Sequence, residues 1–164
     1  MELAAILERS IAVERRAGGL YRRFAAAPDA RGGLRTVWLR LAAEEDEHAA
    51  ALTLALATLD PAVGARSRVE GWDDALARAE EVLADGERVL APSLDDQLAL
   101  ALDLERTEID ALRELLLALS DQAVETGTAT SRHALELADV AARHSTDPRV
   151  RIREAMVRAH QRLT

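Results

Sequence analysis

Several polar residues sit where helical periodicity calls for core side chains. The run Leu98, Leu102, Glu105, Ile109, Leu112, Leu116, Leu119 keeps a 4-3-4-3 spacing, the seam of a bundle helix, with Glu105 in its middle and Glu108 at its edge. Trp38, Leu41, Glu45, His48, Leu52 and Leu56 form a second stripe, with Glu45 and His48 at i and i+3. A third, Leu3, Ile6, Ser10, Glu14, Ala17, Tyr21 and Phe24, carries Glu14 between the small residues Ser10 and Ala17. A fourth, Thr130, His133, Leu137, Val140 and His144, ends on an imidazole, while His133 and His160 read as structural or exposed. A lone carboxylate on a core face loses several kcal/mol of hydration, and several at one depth repel each other. Counted from the expected turns at about 1.5 Å per residue, Glu14, Glu45, Glu108 and His144 fall at one depth to within roughly a helical turn. Carboxylates bridge divalent ions and imidazoles terminate them, so the set makes chemical sense around two divalent metals. Oxygen-rich ligation with two histidines and no thiolate suits iron or manganese. The plainer reading of Glu45 and His48 is a solvated pair on a rotated helix, and that of Glu108 a solvated side chain paired with an arginine at i, i+4. Glu44 and Glu47, beside the Glu45–His48 pair, read as facing water.

The elements that must carry these residues are helical. Apolar residues are 49% of the 164, and the aromatics are only Tyr21, Phe24, Trp38 and Trp72, so the core is built of Ala and Leu, which favour helices over sheets. Helices are expected over about 2–27, 34–58, 94–119 and 129–162, separated at Pro28–Gly33, Asp60–Gly64, Ala84–Gly86 and Thr126–Thr128. Ser93 reads as an N-cap, and a shorter amphipathic helix is expected over about 72–84. Asp147-Pro148 either caps a new helix or kinks a continuous one. Two short connections and one of about 35 residues, between the second and third long helices, imply one all-α domain over 1–164. It is a four-helix bundle with a long, helix-containing crossover, the ferritin-like arrangement.

The absence of Cys excludes disulfides, thiolate zinc sites, Cys-ligated iron–sulfur clusters and thiol nucleophiles. A net charge of −8 with few aromatics argues against a nucleic-acid partner. No apolar run approaches the roughly 18 residues of a membrane span, and the N-terminus lacks a secretory pattern, so a soluble cytoplasmic protein is expected.

The chain resembles the rubrerythrin-like branch of the ferritin-like di-iron carboxylate family. The likeness lies in Val13-Glu14-Arg15-Arg16-Ala17-Gly18-Gly19-Leu20-Tyr21, in Leu41-Ala42-Ala43-Glu44-Glu45-Asp46-Glu47-His48, and in Leu100-Ala101-Leu102-Asp103-Leu104-Glu105-Arg106-Thr107-Glu108. Glu105 and Glu108 match that family's third-helix pair, and Tyr21 a tyrosine common there. The resemblance implies two iron ions, or manganese, held by Glu14, Glu45, His48, Glu105, Glu108 and His144. It implies Tyr21 as a catalytic neighbour and, as chemistry, reaction with peroxide or dioxygen or the oxidation of iron. The fourth helix departs from the pattern, because its expected Glu-x-x-His reads Ala141-Ala142-Arg143-His144. Either Glu108 supplies the missing carboxylate, or the site is degenerate and holds one metal or none. In the second case the chain is a metal-free bundle with a structural or interaction role. Without Cys there is no rubredoxin segment, so an oxidoreductase of this type needs a separate electron donor. Val150, Ile152, Met156 and Val157 offer an apolar surface for a homodimer.

Overall fold

The computed structural model describes residues 1–30, 33–66, 72–107 and 129–160, and the side chains of all of these except 65, 66, 129–133 and 160. The described chain is helical throughout: α1 (Leu3–Ala26), α2 (Gly33–Thr58), α3 (Pro61–Arg66), α4 (Trp72–Arg88), α5 (Leu94–Glu105), α6 (Ala129–His144) and α7 (Pro148–His160). This is the all-α, ferritin-like bundle that the periodicity implied.

Among the described residues, the hairpin of α1 and α2 is the most extensive helix–helix interface. Every residue of the expected α1 stripe, from Leu3 to Phe24, is buried. Tyr21 stacks on Trp38 with ring centroids 5.9 Å apart, and Phe24 meets both rings edge-on. Further down the hairpin Gly18 lets the backbones close in, since a Cβ there would lie 3.3 Å from the Ala42 carbonyl oxygen.

The long crossover then returns along α1. Asp60 caps α3 by accepting from the Ala62 N–H (2.7 Å), with Pro61 at the first helical position. The clasp between α4 and α1 repeats every seven residues. Arg9 donates twice to Glu80 (2.9 Å each), and Arg16 twice to Glu87 (2.8 and 3.0 Å). Arg23 donates to the carbonyls of Gly86 (3.1 Å) and Val89 (2.7 Å), the orphan acceptors at the end of α4. Residue numbers rise together along both helices, so α4 runs parallel to α1 and spans the bundle. The sequence pattern ended this helix near 84, at Ala84-Asp85-Gly86, but α4 continues to Arg88. Gly86 marks a close approach rather than a stop. A Cβ there would lie 3.1 Å from Leu20 Cδ2 and 3.5 Å from Leu100 Cδ1.

Ser93 caps α5 as expected. Its hydroxyl accepts from the Asp96 N–H, and the Asp96 carboxylate accepts in turn from the Ser93 N–H (both 3.2 Å). The helix expected to run unbroken to 119 instead closes at Glu105. Both the N–H (3.0 Å) and the hydroxyl (2.7 Å) of Thr107 bond the Leu104 carbonyl, replacing the next i→i−4 bond with a tighter turn. The rest of that expected helix, with Glu108, lies outside the described residues.

At Asp147-Pro148 the chain starts a new helix rather than kinking an old one. Asp147 accepts from the Arg149 N–H (2.7 Å), and Pro148 takes the first helical position. The helix α7 folds back beside α6 and α5, held by Arg158 to Asp139 and Arg153 to Asp103 (2.7 Å each). This corrects the expected pairing surface, because Val150 and Val157 are buried within the chain and only Ile152 and Met156 of that group are exposed. No helix among the described residues is long and apolar enough to cross a membrane.

Candidate metal centre

In the middle of the α1–α2 hairpin three donors converge. Glu14 and Glu45 are 2% and 6% exposed, deep among apolar side chains. His48, one turn along from Glu45, is half-buried, and its Nδ1 lies 2.8 Å from a Glu45 oxygen and 3.9 Å from Glu14 Oε2. One donor atom from each of the three lies within 4.8 Å of the other two. The arrangement follows from helix geometry. Positions i and i+3 on α2 project to one side, and the antiparallel register that stacks Tyr21 on Trp38 sets Glu14 opposite Glu45. Glu105, the last residue of α5, is tied to the hairpin through Tyr21, whose hydroxyl donates a hydrogen bond of 3.5 Å to Glu105 Oε1. Tyr21 is fully buried, so its ring is fixed by the aromatic stack while its hydroxyl reaches the carboxylate.

His144 is not brought to this centre. It is exposed at the last residue of α6, whereas Ala134, Leu137, Ala138, Val140 and Ala141 are buried. The inward face of α6 therefore takes in Ala134, Leu137–Ala138 and Val140–Ala141, with Ser145 just beyond, so Leu137 and Val140 of the stripe read in the sequence do face inward and His144 does not. The depth differs as well. Ser145 just beyond α6 hydrogen-bonds Asp95 in the first turn of α5. Glu105 lies ten residues further along the antiparallel α5, about 15 Å from that end. The part of α6 level with Glu105 lies around Leu135, where Ala134 and Leu137 are the buried side chains. The acid at that level, Glu136, turns outward to Arg40 on α2 (2.7 Å). That hydrogen bond, with the nearby charges of Glu136 and Glu44, holds the Arg40 guanidinium above its usual value against the cost of burial. Glu44 is half-buried beside this pair rather than simply facing water, while Glu47 is exposed as expected.

The family model described as Rubrerythrin matches residues 5–91, more than half of the chain. The chain belongs to the rubrerythrin family. In this rubrerythrin-family chain the matched stretch is α1 to α4, so it contains Glu14, Glu45, His48 and Tyr21 but not Glu105. Searches of curated proteins and of solved structures found no match. Members of the family typically bind iron, and the Glu14, Glu45 and His48 group is chemically suited to a divalent metal. Two hard carboxylates and one borderline imidazole are the donors that iron and manganese accept. Two carboxylates buried this close together also carry a repulsion that a cation between them relieves.

Proposed function

We propose that the chain is a metal-dependent oxidoreductase that holds iron, with manganese the alternative, through Glu14, Glu45, His48 and Glu105. Its substrates on this reading are peroxide or dioxygen, or iron itself as an ion to be oxidised. The observation that carries the reading is the convergence of two buried carboxylates and an imidazole within 4.8 Å at the centre of a rubrerythrin-family bundle. When bound, the metal supplies a redox couple and an open position for the oxidant. The protein's own contribution is fixed geometry. Glu45 accepts from His48 and so orients the imidazole. Tyr21 holds Glu105 by its hydroxyl and stands as the nearest phenolic proton donor to the centre. The stack on Trp38 keeps that phenol from swinging away. A separate electron donor and a cytoplasmic setting complete the proposal, and Ile152 and Met156 are the exposed α7 residues available for pairing with a second copy.

The test is metal content and melting temperature after anaerobic loading with iron(II). Iron above background in the wild type, lost in Glu45→Ala, is the expected result. The competing reading is a metal-free bundle, favoured by the apolar inward face of α6. It predicts a melting temperature that does not respond to iron, manganese or zinc.

A further inference from the structure

We propose that Tyr21 and Trp38 form a one-electron redox pair in the bundle core, with the oxidising equivalent coming to rest on the Tyr21 phenol and the phenol's proton on Glu105.

Three features support this pair. The first is contact. The two rings lie nearly parallel, 9° apart in plane with centroids 5.9 Å apart, within the usual range of stacked aromatic pairs. Both side chains are fully buried, and Phe24 closes on them edge-on, its centroid 5.3 Å from Trp38 and 6.2 Å from Tyr21. Electrons pass readily between rings in contact, while water and solutes are kept from both.

The second is the proton. A phenol that loses an electron becomes a strong acid, so its oxidation is easy only where a base already meets its hydroxyl. The Tyr21 hydroxyl donates to Glu105 Oε1. At 3.5 Å the bond is long at rest, and the acidified phenol is a far stronger donor across it.

The third is composition. Tyr21 is the one tyrosine of the chain, and there is no cysteine. Phenols and thiols are the usual last holders of an oxidising equivalent that passes through tryptophan, and in this chain that role falls to Tyr21 alone.

In the transfer one electron moves from the Tyr21 phenol to the oxidised Trp38 indole, which is restored. The phenol O–H bond breaks, its proton forms a new O–H bond on the Glu105 carboxylate, and Tyr21 is left as a neutral phenoxyl radical. Tyr21 lies seven residues, about 10 Å, from Glu14 along α1, and Trp38 the same from Glu45 along α2. A pair at this distance catches an oxidising equivalent that strays from the centre before it reaches the aliphatic core. That use rests on the proposed metal chemistry, whereas the transfer between the rings needs no metal.

The test is flash photolysis of the metal-free full chain carrying Trp72→Phe. Light at the red edge of indole absorption, where phenol scarcely absorbs, ejects an electron from Trp38, and hexacyanoferrate(III) consumes it. Samples frozen at intervals are read by electron paramagnetic resonance. Expected is an indole radical that gives way to a tyrosyl radical, whose signal narrows when the single tyrosine is ring-deuterated. An indole radical that decays with no tyrosyl signal overturns the inference and leaves the metal proposal standing, since the sample holds no metal. Trp38→Phe in the same background keeps a ring in the cluster and is expected to give no signal. A tyrosyl radical there means direct oxidation of Tyr21 and overturns the inference. Glu105→Gln keeps an acceptor oxygen that binds a proton poorly, and it is expected to cut the tyrosyl yield several-fold. An undiminished yield overturns the transfer of the proton to Glu105, and the inference with it.

Discussion

Glu14 and Glu45 set the terms at the level of single residues, because each is placed where an aliphatic side chain would stabilise the fold. Glu14→Gln is therefore expected to raise the melting temperature of the metal-free protein, by about 1 kcal/mol in stability, while removing the rise that metal produces. Thermal melts of both forms with and without iron(II) check this, and a variant that loses stability without metal contradicts it. Tyr21→Phe keeps the ring on Trp38 and deletes the bond to Glu105. At 3.5 Å that bond is long, so the expected stability cost is at the low end of about 0.5–1.5 kcal/mol. Trp38→Ala, by contrast, empties the middle of the aromatic cluster and is expected to cost about 3–5 kcal/mol in denaturant melts. The sequence was readable here wherever large side chains set the phase of a helix. Tyr21, Phe24 and Trp38 leave no doubt which face of α1 and α2 turns inward, and Glu14, Glu45 and His48 follow from them. On α6 Leu137 and Val140 were read rightly as inward, but Ala134, Ala138 and Ala141 say little about where that face is centred, and His144 was placed on it wrongly. One position is 100° of rotation, enough to turn His144 from the core to solvent.

Among the elements, α4 was the least legible from sequence. Arg9, Arg16 and Arg23 recur every seven residues, and so do Glu80 and Glu87, but a pattern of surface charges fixes no partner until the crossover's path is known. The clasp has a pH signature. Hydrogen bonds from Arg9 and Arg16 outweigh desolvation and hold the Glu80 and Glu87 carboxyls below the ordinary value of 4.5. Their contribution is thus complete above that value and is lost as pH falls through the lower folded-state values. Arg16→Ala is expected to flatten this acid-side loss, measured as stability against pH below about 5. Exposure and salt keep the effect small at neutral pH. Gly86→Val tests the close approach of α4. With Leu20 so near, overpacking is expected to cost about 1–3 kcal/mol, and a neutral result would show that Leu20 yields freely. The capping box at Ser93 was visible in the sequence because caps are local chemistry. The closing of α5 at Glu105 was not, since it depends on where the Thr107 hydroxyl turns.

Across the whole molecule, the three clustered donors belong to the hairpin that starts the chain, and α4 straps the α1 side of that hairpin. Metal binding and folding are then linked by mass action. An ion at about 100 times its dissociation constant is expected to add roughly 2.7 kcal/mol to the unfolding free energy, visible as a metal-dependent melting temperature. The ferritin-like class and the long crossover were plain from helix lengths and one long connection. How the later helices lie against the centre was not, because depth depends on contacts such as Ser145 with Asp95 that join segments fifty residues apart. The ring stack described above has one more consequence, an optical one. The chain has two tryptophans, Trp38 and Trp72. Trp38 stands seven residues, about 10 Å, from Glu45 along one rigid helix. In a Trp72→Phe background all the indole emission comes from beside the centre. A paramagnetic ion at that range quenches fluorescence, so the arrival of metal can be watched by light alone, in dilute solution and without a label.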